Sequence, residues 1–292
     1  MTDDFPNEFE QYRGKLFSIA YRMTGSAMEA EDLVQDTYLR YRAVNHEDIQ
    51  SPLAYMTTII TRLSINHLNS ARVQRETYLG SWLPEPVLTA NQPEWFTTPA
   101  QRVTDVETIS MSFMTLLETL SPAERAVFVL REVFDYEYRE IAEIVGKSEA
   151  AVRKLGTRAR QHIRDNRPRF EASPEEHTRL LESFLQASSS GDMDGLMALL
   201  AEDARFVPDG GDTRGRATRI LDGREAVAQF LVGLRKLYPP GLYTEIVEIN
   251  GRPTAIIRTA DGAAFTVVSI AAADSKVQEV YAISNREKIG RL

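Results

Sequence analysis

The sequence predicts a multidomain chain in which two all-α modules, the second built on a helix-turn-helix, precede a smaller α+β module. Three observations predict it. Apolar residues recur at spacings of three and four through the first 76 residues and again over 105–169. A stretch with prolines at 84, 86, 93 and 99 separates those two regions. β-Branched runs with hairpin signals appear only after residue 240.

In the first module, LFSIAYRM and DLVQDTYLRY each carry one apolar stripe, and Ser26 followed by Glu29 has capping-box spacing, predicting a helix over 28–42. Ser51-Pro52 opens another helix, with proline in the first turn where its missing N–H costs nothing, and the pattern continues through MTTIITRLSINHLNSAR. The proline-rich stretch also holds Trp82, Leu83, Trp95 and Phe96. Such side chains are poorly placed in water, so part of this linker is expected to dock on a neighbouring domain. Ser173-Pro174 opens the third module, with helices over 175–188, 192–200 and 223–238. Strands are expected over 243–249, 254–259 and 264–271, separated by the hairpin signals Asn250-Gly251 and Asp261-Gly262.

Composition narrows the function classes. With 43% hydrophobic and 26% charged residues among 292, the chain has the balance of a soluble globular protein and is long enough for several cores. It holds no apolar run near the roughly 20 residues that span a bilayer, and residues 1–10 are acidic where a signal peptide would be basic and then apolar. A cytoplasmic location without membrane contact is expected. The absence of cysteine excludes disulfides, thiolate zinc sites and a cysteine nucleophile, and the four histidines, at 46, 67, 162 and 177, are scattered. No metal and no cofactor are expected. The net charge of −8 hides a local reversal: residues 147–169 carry eight basic side chains against Glu149 and Asp165. A basic stripe on an acidic chain suggests one DNA-facing element, with acidic surfaces meeting something else.

That stripe lies in YREIAEIVGKSEAAVRKLGTRARQHIR, which has helix-turn-helix spacing. Ala142 is small where the helices cross, and Gly146 suits a turn needing positive φ. Ile141, Val145, Val152 and Leu155 are expected to face inward. Ser148, Glu149, Ala150, Arg153, Lys154 and Thr157 are then left outward to meet the major groove, with Arg158 and Arg160 nearer the backbone.

The longer segment LSPAERAVFVLREVFDYEYREIAEIVGKSEAAVRKLGTRAR resembles region 4 of the extracytoplasmic-function (ECF) sigma factors, group IV of the sigma-70 family, which binds the minus-35 promoter element. AYRMTGSAMEAEDLVQDTYLRYRA resembles their region 2.2, and SPLAYMTTIITRLSINHLNSARVQRE their regions 2.3 and 2.4. The resemblance implies a sigma factor that binds RNA polymerase core, through the β′ clamp helices and the β flap, together with promoter DNA. Asp32, Gln35, Asp36 and Arg40 share one helix face by spacing, and the resemblance makes that face the polymerase-binding one. Arg62, Asn66, His67, Asn69, Arg72 and Arg75 lie along one helix and its end. Amide, basic and aromatic groups suit melted DNA with flipped bases, and by resemblance these residues receive the minus-10 element. The minus-35 contacts are expected from Ser148, Glu149, Ala150, Arg153, Lys154, Thr157 and Arg158.

Trp82-Leu83-Pro84-Glu85-Pro86 matches the linker motif of the subgroup with a fused SnoaL-like domain, the SigJ type. Two further subgroup motifs appear in altered form, around Asp209-Gly210-Gly211 and from Asn285 to Lys288 and Ile289. The implied fold is two all-α sigma domains, a region 2 helical bundle and a region 4 helix-turn-helix, followed by an α+β SnoaL/NTF2-like cone-shaped barrel. The expected division is region 2 over 5–78, a linker over 79–104, region 4 over 105–170, a SnoaL-like regulatory domain over 174–284 and a tail over 285–292. Regulatory contacts are expected from Trp82, Leu83, Pro84, Glu85, Pro86, Asp209, Gly210, Gly211, Asn285 and Lys288.

In this reading the third domain packs on the linker and regions 2 and 4 and regulates them in cis, so that no separate anti-sigma factor is required. The opposite sign, a tail needed for activity, stays open. Phe206, Phe230, Phe265 and Tyr281 read either as core or as the lining of a site for a small apolar ligand, and core packing is favoured. Asp209, Asp212 and Asp222 offer carboxylates for an isomerase base, but each lies in a glycine- and arginine-rich stretch that is no pKa-raising pocket, so no catalytic residue and no enzyme activity are expected. The alternatives are a helix-turn-helix repressor with a ligand-sensing barrel and, less favoured, a SnoaL-type isomerase or hydrolase.

Overall fold

The computed structural model describes residues 5–46, 49–75, 78, 80–89, 109–166, 172–211 and 217–292. Trp95, Phe96 and Asp212 lie outside these, as do the side chains of Arg72 and Arg75. The chain divides into two compact units: residues 1–76, 92–109 and 113–167 form one, and residues 77–91, 110–112 and 168–292 the other.

In the first unit, α1 (Phe5–Thr24), α2 (Ala27–Arg42) and α3 (Pro52–Arg75) form a bundle. Ser26 Oγ accepts from the Glu29 N–H at 3.3 Å, which satisfies an otherwise orphaned donor at the start of α2. Leu16, Ile19 and Met23 of α1 are buried, as are Leu33, Val34 and Tyr41 of α2 and Met56 and Ile60 of α3. Tyr41 donates to Glu8 at 2.9 Å, and burial together with that carboxylate pushes its pKa up to about 12.

Four more helices follow: α4 (Met111–Glu118), α5 (Pro122–Phe128), α6 (Tyr138–Val145) and α7 (Glu149–Asn166). A complete Ser121/Glu124 capping box starts α5, which continues through a π-helical turn, Val129–Val133. Arg125 of α5 is buried, donating to the Arg22 carbonyl at 2.7 Å and pairing with Glu118. Gly146 closes α6 at φ +66°, and its N–H donates to the Ala142 carbonyl.

The inward face of α7 differs from the expected one. Val152, Gly156, Ala159 and Ile163 are buried, facing Ile141, Ala142 and Ile144, while Val145 and Leu155 are only half-buried. Tyr138 sets this register, because a Cβ on Gly156 would lie 3.1 Å from its hydroxyl. The phenol occupies the space a larger residue would need.

The second unit holds α8 (Pro174–Ser190), α9 (Met193–Leu199), β1 (Leu200–Asp209), β2 (Leu221–Asp222) and α10 (Arg224–Arg235). Then come β3 (Tyr243–Ile249), β4 (Arg252–Arg258), β5 (Ala264–Ala273), β6 (Lys276–Ile283) and α11 (Arg286–Ile289). The strands form one sheet in the order β2-β1-β6-β5-β4-β3, with β1 and β6 parallel and the other neighbours antiparallel. The expected cone-shaped α+β domain is present, and its sheet is open among the described residues. The two-residue β2 is too short to be a closing strand, and β2 and β3 are the edges among the described residues. Register shifts within β1/β6, β4/β5 and β5/β6 mark the irregularities that bend a sheet.

Strand alternation gives the sheet two apolar faces. Phe206, Val268 and Val280 pack with Leu181 and Phe184 of α8 and Leu231 of α10. Val207, Val267, Tyr281 and Ile283 pack on the other side with Ile289 of α11 and with Leu83 of the linker. Two turns use paired positive φ: Asn250-Gly251 at 52° and 70°, and Asp274-Ser275 at 52° and 58°. The second joins β5 to β6 without glycine, so it gave no turn signal. No helix of the described residues is long and apolar enough to cross a membrane.

Candidate functional site

On α2, Asp32, Gln35, Asp36 and Arg40 are all exposed along one face, together with Leu39. Beside them runs a groove of about 320 Å³ lined by Phe9, Arg13, Asp32, Gln35 and Tyr38. Tyr38 packs edge-on against Phe9 with ring centres 5.0 Å apart, so it forms a wall of the groove and is not fully buried. Four polar groups beside an aromatic-walled groove can receive a basic, amphipathic helix.

On α3, Asn66 and Asn69 are exposed, and His67 Nδ1 lies 3.3 Å from Glu29. Arg62 is engaged within the unit: its Nε donates to the Ile144 carbonyl at 2.7 Å and its Nη2 to the Glu143 carbonyl at 2.9 Å. Of Arg72 and Arg75 only the helical backbone is described.

On α7, Ser148, Ala150, Arg153, Lys154, Thr157 and Arg158 are exposed and Glu149 is half-buried. Ser148 Oγ accepts from the Ala151 N–H at 3.3 Å at the start of the helix. Arg153 donates to Glu149 at 2.6 Å and lies over the Tyr138 ring at 4.8 Å, while Arg158 pairs with Glu124 at 3.0 Å and Arg160 donates to the Tyr138 hydroxyl at 2.8 Å. Exposed pairs of this kind contribute little and exchange readily for phosphate oxygens.

The ten residues expected to regulate come together in the second unit. Leu83 is fully buried, and Pro84, Glu85 and Pro86 are buried beside it. Asp209 ends β1 and is buried, contrary to the expected polar loop. Four donors saturate its carboxylate: Tyr78 Oη at 2.5 Å and the Gly211 N–H at 3.2 Å on Oδ1, the Leu83 N–H at 2.9 Å and Lys288 Nζ at 2.7 Å on Oδ2. Lys288 also donates to the Leu83 carbonyl and stands 4.0 Å above the Trp82 ring. Asn285 caps α11 with its side-chain oxygen and gives its amide to Tyr78 Oη at 2.9 Å.

Gly210 and Gly211 are buried against this cluster; a Cβ on Gly211, at φ +55°, would meet Asn285 Cγ at 2.7 Å. Further along, Val87 N–H donates to the Asn250 side chain and Asn250 N–H to the Val87 carbonyl, both at 2.9 Å, and Leu88 bridges Ile249. Thus residues 82–89 are seated on the sheet by an apolar anchor, a buried ion pair and an edge-strand bridge. Tyr78 and Asn250 were missed. Asn250 read as turn chemistry only, and nothing in the sequence separates Tyr78 from other linker aromatics.

Of the aromatic residues that read as ligand lining, Phe206 meets Phe230 in a tilted contact with ring centres 5.0 Å apart and Phe265 meets Tyr238 at 5.5 Å, whereas Tyr281 lies on the opposite, linker-bearing face. Asp222 is exposed and pairs with Arg205.

Comparison with known families matches residues 9–73 to Sigma-70 region 2, residues 110–163 to Sigma-70 region 4 and residues 181–282 to the SnoaL-like domain. The ECF RNA polymerase sigma factor SigJ of Mycobacterium tuberculosis is 35% identical over 291 residues, covering 97% of this chain and 92% of the relative. SigG of the same organism, also an ECF RNA polymerase sigma factor, is 34% identical over 86% of this chain and 72% of its own length. The crystal structure of M. tuberculosis SigJ superposes with a TM-score of 0.77 at 33% identity, covering 97% of this chain and 98% of that one.

Proposed function

The chain belongs to the ECF RNA polymerase sigma factors, in the form that carries a SnoaL-like domain after region 4, and we propose that this domain restrains it in cis by holding the linker. As a sigma factor it directs the polymerase to promoters and starts transcription. Its polymerase contact is assigned to Asp32, Gln35, Asp36 and Arg40 on the β′ clamp helices, with region 4 meeting the β flap. Their exposure on one face of α2 beside a groove walled by Phe9 and Tyr38 supports this. Asn66, Asn69 and the basic residues of α3 take the melted minus-10 strand, and the exposed face of α7 reads the minus-35 duplex. The work is done in the cytoplasm, and no enzymatic step is assigned.

The observation that carries the regulatory part is the seat of Leu83 and Trp82 on Asp209 and Lys288. The linker joins the two promoter-binding regions, so fixing part of it limits the separations they can adopt. Holding a residue's backbone in one conformation costs about 1–2 kcal/mol, a cost repeated for each seated residue, and the buried Leu83, the four-donor carboxylate and the bonds to Asn250 together oppose it. Because linker and seat share one chain, their effective concentration is high and a separate anti-sigma protein is not needed. Polymerase shifts the balance only through contacts that favour the released linker.

The test is transcription from a supercoiled promoter library by purified core polymerase. It compares the full chain, the Lys288→Met variant and a chain ending before Pro174. Initiation that depends on the chain, with more product from the two altered forms, is the expected result. Equal output from all three would remove the restraint, and tight duplex binding without core, with no initiation, would favour the repressor.

A further inference from the structure

Gly156 lies in the interior of α7, where glycine is a poor helix former. A glycine in such a place calls for a packing or functional reason. The space beside it is filled by the buried phenol of Tyr138, the first residue of α6: a Cβ at position 156 would lie 3.1 Å from the hydroxyl and 3.2 Å from Cε1.

Arg153 and Arg160 flank this notch on one face of α7, three positions before Gly156 and four after it. Both touch the phenol. Arg153 Cζ stands over the ring, 4.8 Å from its centre, and Arg160 Nη2 donates to the hydroxyl at 2.8 Å. Arg131, from the π-helical turn that follows α5, lies over the same ring at 5.3 Å and is itself tied to the Tyr136 carbonyl at 2.9 Å. One side chain thus meets three guanidinium groups.

The two α7 arginines also have carboxylate partners, Glu149 for Arg153 at 2.6 Å and Glu132 for Arg160 at 3.7 Å. DNA acts differently on the two kinds of partner. A phosphate competes with a carboxylate for the same N–H groups and repels it, so these ion pairs must open when a duplex arrives. A ring face uses none of the five N–H donors of Arg153, and the hydroxyl uses one of those of Arg160. Neither sets a carboxylate charge against the phosphates, so both contacts are compatible with bound DNA. Arginine has much rotamer freedom to lose on binding, and one already held against a ring loses less.

We infer that Tyr138 is a positioning residue for promoter recognition. Set into the Gly156 notch, it holds Arg153 and Arg160 in line along α7 with N–H groups available to the minus-35 duplex, and it acts through them instead of touching DNA. The inference rests on the reading of α7 as the minus-35 element and adds the residue that readies its arginines.

In the experiment, holoenzyme formed from the full chain and purified core polymerase selects duplexes from a random pool, and its affinity for the selected duplex is measured. Arg153→Ala and Arg160→Ala should each weaken binding about tenfold. Tyr138→Phe, which keeps the ring and loses the acceptor, should weaken it about three- to fivefold, and Tyr138→Leu, which loses both contacts, about tenfold. In a chain that already lacks both arginines, either change at Tyr138 should alter affinity by less than about 1.5-fold. That coupling separates positioning from support of the fold, because a misplaced helix weakens binding with or without the arginines. Circular dichroism and retention of core polymerase establish that each variant is folded, and Tyr138→Phe decides the matter if Tyr138→Leu does not fold. A holoenzyme that selects no sequence, or arginine variants that bind as the parent does, removes the reading of α7 and this inference with it. If the arginine variants bind weakly while the Tyr138 variants match the parent, or if the Tyr138 variants lose as much without the arginines, the reading of α7 stands and the positioning role is overturned.

Discussion

The Nε–H of Arg62 donates to the backbone carbonyl of Ile144 at 2.7 Å. With its second bond, to Glu143, this guanidinium caps the C-terminal end of α6, where unsatisfied carbonyls and the helix dipole favour a cation. A side chain expected to meet the minus-10 strand is thus engaged by the helix-turn-helix, and it must leave these carbonyls before it can touch DNA.

Replacing Arg62 by alanine should therefore loosen the first unit by about 1–2 kcal/mol, the worth of charge-assisted bonds that are partly solvated. In a unit of this size that is a fall of a few degrees in its thermal midpoint. Calorimetry on the full chain measures it, and an unchanged midpoint would show that the bonds contribute nothing.

Asp36→Arg should abolish retention of core polymerase in a pull-down while moving the thermal midpoint by no more than about a degree, since Asp36 is exposed on α2. Unchanged core affinity would remove the assigned face.

Asp209→Leu leaves the largely buried Lys288 side chain without its counter-charge and the Leu83 N–H without its acceptor. Breaking a buried ion pair from one side costs about 3–5 kcal/mol. Lys288→Met alone should cost less, because Asp209 keeps three of its donors. The double variant should recover part of the loss. Urea unfolding of the four forms gives the coupling, and strictly additive effects would show that the pair is not an energetic unit.

His177 supplies a pH dependence. Burial, followed by the charge of Arg252, depresses its pKa from 6.5 to about 4, against the smaller opposing effect of its contact with the Pro253 carbonyl. The unfolded chain takes up this proton near pH 6.5 and the folded one only near 4. Stability from the neutral imidazole is therefore present above pH 6.5 and is lost as pH falls through that window, by about 3 kcal/mol in all. Urea midpoints between pH 7 and 4.5 should fall less steeply for His177→Gln than for the parent chain. Parallel slopes would mean that other groups carry the acid sensitivity.

Most of the helical architecture could be read from local signals. The capping residues Ser26, Ser121 and Ser173 and the αL stop at Gly146 act within a few positions of themselves, and each stands where helix chemistry needs it. β1 and β6 could not be read in the same way. β1 leaves α9 without a turn residue and is buried almost without alternation, and β6 follows a turn made by Asp274 and Ser275. The motif residues of the linker seat were identifiable as letters, but their roles were not. That Asp209 is a saturated buried anion depends on Tyr78, Leu83 and Lys288 reaching it from distant parts of the chain. The outward face of α7 was legible from charge, whereas its inward register waited on Tyr138 and Gly156, a long-range fit that periodicity cannot supply.

The seat also sets an order of events during synthesis. Lys288 follows Leu83 by 205 residues, and a ribosome adding about 5–20 residues per second needs about 10–40 s to cover that distance. Region 2 precedes Leu83 and region 4 is made within this interval, so both can fold while the clasp that holds their linker does not yet exist. Each newly made molecule therefore passes once through a brief unclasped youth, and a pause or premature stop late in the message would prolong it.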